Sequence, residues 1–289
     1  MSESPRNGGA SQQARTGASQ QARTGASEQA RLAELGVVRL LAENAGPFTL
    51  TGTNTWVLGR DPAYVVDPGP DERGHLKRLL ALLESRGGLG GIALTHDHDD
   101  HGGALAALRA QMPAPVAAGR AQSGGGEAQV ELHDGASFGP LRAFATPGHS
   151  RDHFAFVFGS ACLTGDAVLG EGSVFLTPDP GALAGYLAGL RRLAELPLAA
   201  ICPGHGPPVW EPQDRLREYV AHRLEREQRL REALADGGRT AQELLDAAWG
   251  EVPAALRPLA TVTLAAHLDK LDEEGALPDD VERPTVAPP

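Results

Sequence analysis

The stretch Ile92-Ala-Leu-Thr-His-Asp-His-Asp-Asp-His101 combines an apolar run with a dense cluster of histidines and aspartates. Its first three residues form an apolar run typical of a buried strand, and two glycines after it open a segment with helical spacing. The polar residues between them therefore lie on a strand-to-helix loop. Imidazoles and a carboxylate on one loop are ligands suited to Zn²⁺ or a similar borderline metal. We expect a metal site here.

Three further polar residues follow predicted strands elsewhere in the chain. His149 ends the motif TPGH, Asp166 ends the motif TGD, and His205 lies within the motif PGHG. Binding groups of α/β proteins gather beyond the carboxyl ends of strands. Five of the ten histidines fall in these motifs and in the first stretch, and buried core histidines would explain only one or two of these placements. We therefore predict that these side chains converge on one site.

Together the motifs HxHxDH, TPGH, TGD and PGHG resemble the metallo-β-lactamase superfamily, and the spacings of 48, 17 and 39 residues from His101 onward match its compact members. The resemblance covers residues 35–212. It implies an α+β fold, a four-layer αββα sandwich with the metals at one edge of the sheets. The implied ligands are His96, His98 and His149 for one metal, Asp100, His101 and His205 for the other, and Asp166 as the bridge between them.

The same resemblance implies a hydrolase with two Zn²⁺ ions, in whose place Mn²⁺ or Fe²⁺ could be bound. Two such ions would lower the pKa of a bridging water, so that hydroxide forms near neutral pH. Asp100 would orient this hydroxide and accept its proton.

Two other residues are candidates for supporting roles next to the ligands. Asp67 ends a predicted strand in an Asp-Pro-Gly turn. It would either accept a hydrogen bond from a ligand histidine and fix its tautomer, or serve only as a turn residue. His153 would either touch substrate or begin the strand that follows it.

Further stretches resemble the beta-lactamase-like protein 2 group of this superfamily. They are NTWVL at 54–58, DPGP at 67–70, TGDAVLG at 164–170, PGHGP at 203–207 and YVAHR at 219–223. Members of that group carry an appended winged-helix domain. Some relatives are single-strand-specific endoribonucleases, and most bacterial ones are described only as hydrolases.

Beyond residue 212 the sequence changes character. Residues 213–235 are predicted to form one long charged helix, the stretch Thr240-Ala-Gln-Glu243 has the form of a capping box, and a last helix ends at Gly275. This pattern resembles a small winged-helix module at residues 213–289. The six arginines of the long helix alternate with glutamates, which indicates helix-stabilising pairs or, alternatively, phosphate contacts.

The first 31 residues differ from the rest. GASQQART occurs at 9–16 and 17–24 and returns as GASEQARL from Gly25, and no Leu, Ile, Val or Phe precedes Leu32. Such a segment cannot bury enough apolar surface to offset its ordering entropy. We expect residues 1–31 to form a disordered tail before a catalytic domain at 32–212. A docking arm with the evenly spaced Arg15, Arg23 and Arg31 is the alternative.

Composition excludes several classes of function. The net charge of −11 and the aromatic content of 4% argue against nonspecific nucleic-acid binding, and the acidic C-terminal region argues against binding to duplex DNA. No run approaches about 18 consecutive apolar residues, so we expect no membrane span. The N-terminus lacks the apolar region of a secretory signal, and two cysteines fit a reducing compartment. We expect a cytoplasmic location.

These observations predict a binuclear zinc hydrolase that acts on a small ester, thioester or lactone. A single-strand-specific endoribonuclease is the alternative, favoured by the resemblance and opposed by the negative charge. An alternative of another class is a non-catalytic regulatory protein that acts through its winged helix. That hypothesis predicts broken metal ligands or a basic recognition helix, neither of which the sequence has. The oligomeric state is left open.

Overall fold

Two β-sheets pack face to face in the part of the chain that this computed structural model describes, residues 25–120, 122–123 and 126–286. The first sheet has six strands in the order β1-β2-β3-β4-β5-β8. Its strands are β1 (Val37–Leu41), β2 (Asn54–Leu58), β3 (Ala63–Val66), β4 (Leu89–Ala93), β5 (Val116–Ala118) and β8 (Val130–Glu131). An antiparallel pair, β6 (Gln122–Ser123) and β7 (Gly126–Glu127), lies between β5 and β8 in the chain.

The second sheet has five strands in the order β13-β12-β11-β10-β9. Its strands are β9 (Ser137–Phe138), β10 (Leu141–Ala145), β11 (Phe154–Phe158), β12 (Ala161–Gly165) and β13 (Ala200–Pro203). Strands β9 to β12 are antiparallel, whereas β12 and β13 run parallel. Alternation along β11 gives the sheet two buried faces, because Phe154 and Phe156 enter the core between the sheets while Ala155 faces the helices.

Helices cover the outer face of each sheet. Helix α1 (residues 25–34) precedes β1, and α2 (Arg73–Glu84) connects β3 to β4. The single-turn α3 (Asp99–Gly102) and α4 (Leu105–Gln111) follow β4. Helix α5 (Ala182–Ala194) lies between β12 and β13 in the chain, and α6 (Pro212–Ala235) follows β13. Helices α2 and α4 pack on the first sheet, and α5 with the first half of α6 packs on the second. The predicted four-layer αββα sandwich of the α+β class is confirmed. None of the described helices has both the length and the apolar character of a membrane span.

Helix α1 corrects the predicted extent of the disordered tail. Residues 25–31 of that tail are helical, and its remainder, residues 1–24, lies outside the described residues. The third copy of the repeat differs from the first two in having Glu28 and Leu32. Glu28 forms an ion pair of 3.0 Å with Arg39, and Leu32 is fully buried in the core between the sheets. These two contacts order a segment that the repeat composition alone would leave unfolded.

Replacing Leu32 by alanine tests the docking of α1. Because Leu32 is fully buried, we expect the free energy of unfolding to fall by about 2–5 kcal/mol, the usual cost of such a cavity. Chemical denaturation of both proteins measures the difference. Leu256→Ala, at a leucine that is 48% exposed, is the matched control and should change stability little. A loss below about 1 kcal/mol for Leu32→Ala would show that α1 does not contribute to the core.

The C-terminal region is helical. Helix α6 continues into α7 (Ala241–Trp249), a 3₁₀ turn (Ala254–Leu256) and α8 (Arg257–Glu273). These elements share a core of their own, to which Leu230, Trp249 and Leu264 contribute. Thr240 and Glu243 form the predicted capping box, since the side chain of each accepts a hydrogen bond from the backbone N–H of the other.

The structure corrects the winged-helix prediction in one respect. The described residues after α8, up to 286, form no strand, so this part of the chain has no wing. Pro278 and Pro284 interrupt the stretch, and proline cannot donate to a strand ladder. The segment instead lies against the helices, with Val281 in their core and the N–H of Glu282 donating to the carbonyl of Arg239 at 2.8 Å.

Helix α6 belongs to both parts of the molecule. Leu216 and Tyr219 in its first half lie in the core beneath the second sheet, whereas Leu230 and Leu234 in its second half lie in the C-terminal core. The boundary predicted after residue 212 therefore marks a change of architecture but does not separate two independent cores.

Candidate metal centre

Seven polar side chains gather where strands of both sheets end. Strand β4 leads into a loop and α3, which carry four of them, and β10, β12 and β13 each end shortly before one more. They are His96, His98, Asp100 and His101 after β4, His149 after β10, Asp166 after β12, and His205 after β13. The structure thus brings together all seven residues that the sequence singled out as metal ligands.

Three histidines form the first group. Nε2 of His96 lies 2.9 Å from Nδ1 of His98, which lies 3.2 Å from Nε2 of His149. A tetrahedron around an ion with bonds of about 2.0 Å has edges of about 3.3 Å. The three nitrogens are therefore spaced like ligands of one ion.

An aspartate and two histidines form the second group. Nε2 of His205 lies 3.3 Å from Nε2 of His101 and 3.3 Å from Oδ2 of Asp100. Nε2 of His101 lies 3.5 Å from the same Asp100 oxygen. These separations again match the edges of a single coordination tetrahedron.

The carboxylate of Asp166 lies between the two groups. Its Oδ2 is 3.6 Å from Nε2 of His149 in the first group and 3.3 Å from Nε2 of His205 in the second. Its Oδ1 is 3.5 Å from Nε2 of His101 and is buried without a hydrogen-bond partner among the described residues. A buried carboxylate oxygen of this kind is costly unless a cation binds it. The donor set as a whole fits two divalent ions that share Asp166.

Asp67 and Thr95 determine which ring nitrogens face the centre. Asp67 Oδ2 accepts from Thr95 Oγ1 at 2.7 Å and from Nδ1 of His101 at 2.9 Å, and its Oδ1 accepts from the Thr95 N–H at 2.8 Å. The single hydroxyl proton of Thr95 goes to Asp67. Oγ1 of Thr95 therefore accepts a hydrogen bond from Nδ1 of His96, 3.0 Å away. Both histidines therefore turn Nε2 towards the centre, and this nitrogen ligates a metal when it carries no proton.

His153 holds Asp166 in place. Its Nε2 accepts from the backbone N–H of Asp166 at 3.1 Å, so its Nδ1 carries the proton and donates to Oγ1 of Thr146 at 2.8 Å. The ring is 1% exposed. The sequence left open whether His153 touches substrate, and this geometry gives the ring a supporting position behind the ligands.

Two glycines let the loops approach this closely. A Cβ on Gly204, in the PGHG motif, would lie 2.3 Å from Oδ1 of Asp166 and 2.7 Å from the His101 ring. Gly165 has a positive φ of 47°, and a Cβ there would meet the Thr95 side chain at 2.5 Å. The glycines before Asp166 and His205 are therefore required by packing against the candidate ligands.

The two groups differ in charge. Burial lowers the pKa of His96 well below its ordinary value and that of His149 to about 4, so both rings are neutral. Burial also opposes charge on His101 and His205, but nearby carboxylates, that of Asp166 foremost, outweigh it and raise the pKa to about 9 and about 10. The positive charge of these two rings offsets the negative charge of the nearby carboxylates. A bound divalent metal would take over this role.

The loop before β2 supplies two residues that the sequence did not indicate. Oγ1 of Thr53 donates to Oδ2 of Asp100 at 2.9 Å and accepts from Nδ2 of Asn44 at 2.9 Å. Oδ1 of Asn44 accepts from the N–H of Thr53 at 2.9 Å, so the pair is held in one orientation. No local pattern marks Thr53, because its partner is 47 positions away in the chain.

Replacing Thr53 by valine keeps the shape of the side chain and removes the hydrogen bond to Asp100. We expect kcat/KM to fall about tenfold or more, as is usual when a residue that orients a metal ligand is lost, with metal content unchanged. Steady-state kinetics and metal analysis measure the two quantities. Thr51→Val, at an exposed residue of the same loop, should leave both unchanged. Equal activities of the two variants would show that Thr53 does not orient Asp100.

Known proteins resemble this chain over most of its length. The family model for the metallo-beta-lactamase superfamily matches residues 48–125. The chain is 32% identical over 259 residues to lactamase-like protein aptB of Emericella nidulans, covering 82% of this chain and 81% of that protein. It is 30% identical over 259 residues to a beta-lactamase-like protein 2 homolog of Caenorhabditis elegans, covering 83% and 85%. A crystal structure of a metallo-beta-lactamase family protein from Thermus thermophilus matches with a TM-score of 0.65 and 27% identity, over 83% of this chain and 94% of that chain.

Proposed function

This chain belongs to the metallo-beta-lactamase superfamily, in the group of the beta-lactamase-like protein 2 homologues, and on this premise we propose that it hydrolyses small ester-like bonds with two divalent metal ions. One observation carries the proposal: six donors form two compact groups, and Asp166 lies between them. Imidazole and carboxylate donors in this arrangement suit Zn²⁺, and Mn²⁺ or Fe²⁺ accept ligands of the same kinds.

Bound at these positions, two divalent ions would supply Lewis acidity towards the substrate carbonyl and towards water. Asp100 is the more accessible carboxylate, with 28% of its side chain exposed against 10% for Asp166. Burial alone would raise the pKa of Asp100, but the hydrogen bond with His205 and the charges of His101 and His205 hold it well below its usual range. Asp100 therefore stays ionised and can orient an attacking water and accept its proton.

The arginines of α6 support a small substrate over single-stranded RNA. Arg223 and Arg226 are buried, and each donates to a backbone carbonyl. The other four, Arg215, Arg217, Arg229 and Arg231, each form an ion pair with an acidic residue. None of the six is thus left as a free cation for phosphate, and the net charge of −11 further disfavours a polyanion.

The acidic C-terminal region supports an enzyme over a regulatory protein. From residue 237 onward the chain has four basic and ten acidic residues, and all seven ligand positions are filled. A protein that reads duplex DNA needs a basic surface. We therefore propose no duplex DNA partner and no regulatory role for these helices.

The proposal is tested with zinc- and manganese-loaded protein on a panel of a p-nitrophenyl ester, an acyl thioester, a lactone and an end-labelled single-stranded RNA. We expect hydrolysis of at least one of the first three substrates and none of the RNA. Asp100→Ala should abolish this activity, and Asp99→Ala, at an exposed carboxylate of the same motif, should retain it.

Other results of the same panel would replace the proposal. Cleavage of RNA that depends on Asp100 would establish the endoribonuclease function instead. Activity on no substrate, together with a mobility shift of duplex DNA at physiological salt, would favour the non-catalytic regulatory protein.

A further inference from the structure

Residues 169–177, the segment between the Asp166 loop and the approach to α5, lie between the C-terminal helices and the centre. The segment starts three residues after Asp166. It includes Phe175, a half-buried aromatic residue that the proposed chemistry does not use.

On one side, helix α6 holds this segment through its backbone. The hydroxyl of Tyr219 accepts from the N–H of Leu169 at 3.1 Å and donates to the carbonyl of Gly172 at 3.0 Å. The guanidinium of Arg223, which is 2% exposed, donates to Ser173 Oγ at 3.0 Å and to the carbonyl of Val174. Such charge-assisted bonds from a buried guanidinium to a loop are among the stronger hydrogen bonds in proteins.

Helix α8 and the loop that carries His149 bind the other end of the segment. Oγ1 of Thr263 in α8 accepts from the N–H of Leu176 at 3.2 Å. The N–H of Thr177 donates to the carbonyl of Gly148 at 2.7 Å, and the Thr177 hydroxyl donates to the same carbonyl at 3.0 Å. The segment is therefore fixed between the C-terminal helices and the residue that precedes His149.

This arrangement places Phe175 against a metal ligand. Its ring centroid lies 4.8 Å from that of His149, with the two ring planes at 65° in an edge contact. His149 turns its Nε2 towards the centre. The Phe175 ring is only half-buried, so part of its apolar surface stays accessible next to His149.

We propose that Phe175 contacts the apolar group next to the scissile bond, and that the C-terminal helices serve to hold it there. The enzyme would accordingly prefer esters or thioesters with an apolar acyl chain over acetyl compounds. This inference rests on the proposed hydrolytic function and adds the substrate class to it. Phe175 is then a specificity-determining residue, and Tyr219 and Arg223 are positioning residues.

The first test compares p-nitrophenyl acetate with p-nitrophenyl hexanoate. We expect zinc-loaded wild type to prefer the hexanoate. Phe175→Ala should lower the hexanoate-to-acetate ratio of kcat/KM by about tenfold, since a few methylenes in an apolar site give discrimination of this order. Metal content per chain should not change. Leu224→Ala, in a groove between α5 and α6 that contains no residue of the segment, is the control and should keep the ratio.

A second readout does not depend on turnover. Titration calorimetry with hexanoate and acetate should give tighter binding of hexanoate to wild type and a reduced difference in Phe175→Ala. If wild type hydrolyses neither ester, calorimetry alone decides the inference, and the proposed function fails only if the thioester and the lactone of the panel are not hydrolysed either. The inference would be overturned if wild type showed no preference for hexanoate. It would also be overturned if Phe175→Ala kept both the wild-type hexanoate-to-acetate ratio of kcat/KM and the wild-type difference in affinity between hexanoate and acetate.

Tyr219→Phe tests the role of the helices without removing a ring from the core. The variant loses both hydrogen bonds to the segment, so we expect faster amide hydrogen exchange in residues 170–176. The hexanoate-to-acetate ratio should fall, by less than in Phe175→Ala, and metal content should stay the same. Faster exchange with an unchanged ratio would show that the helices do not position Phe175.

Discussion

Replacing Asp166 by asparagine should lower the rate of hydrolysis by about three orders of magnitude, because an amide cannot replace a carboxylate that two metals would share. The carboxylate has oxygens within 3.6 Å of His149, His205 and His101. Its loss removes a negative charge that faces both groups. We expect metal content to fall from about two ions per chain to about one or fewer, measured by atomic emission after desalting.

Asp99→Asn is the matched control for this variant. It makes the same chemical change at an exposed residue between His98 and Asp100, so activity and metal content should be those of wild type. If Asp166→Asn kept two ions and full activity, Asp166 would not be the residue that joins the two groups.

Replacing Asp67 by asparagine should weaken metal binding by about 10- to 100-fold, the usual cost of losing a residue that orients a ligand. The carboxylate accepts three hydrogen bonds, two from Thr95 and one from His101. An amide has one acceptor oxygen, so in either orientation its NH₂ group meets a donor. The backbone at Asp67 has a positive φ of 54°, which asparagine tolerates, so the effect reports the lost hydrogen bonds.

Competition with a chromophoric chelator measures the affinity, and thermal denaturation of the metal-free protein measures stability. We expect the free energy of unfolding of the metal-free variant to be about 1–3 kcal/mol lower than that of wild type, because a buried donor is left unpaired. Asp71→Asn, at an exposed residue, is the control. Wild-type affinity in Asp67→Asn would mean that the orientation of His101 does not depend on this hydrogen bond.

The clustering of the seven candidate ligands could be predicted because each lies next to a strand that is visible in the sequence. The apolar runs before Thr95, Thr146 and Pro203 are short and end in turn residues, and the structure places strands at each of them. Strand ends that meet at one edge of packed sheets bring their loops together. The four layers of the αββα sandwich were predictable from the family resemblance and from strands interleaved with helical patterns.

Other parts of the molecule could not be predicted because they depend on contacts between distant residues. The hydrogen bond from Thr53 to Asp100 and the contact of Phe175 with His149 have no local pattern. Helix α1 is ordered by the ion pair of Glu28 with Arg39 in β1 and by the burial of Leu32, although the repeat around these residues favours disorder. The absent wing after α8 likewise follows from tertiary contacts of that segment.

Anomalous scattering from a crystal of the zinc-loaded protein, recorded on both sides of the zinc absorption edge, would show directly whether two metal ions bind among these side chains. We expect two peaks about 3.5–4 Å apart. One peak would lie within bonding distance of His96, His98 and His149, the other within bonding distance of Asp100, His101 and His205, and Asp166 would reach both. A single peak, or none among these seven side chains, would contradict a binuclear centre.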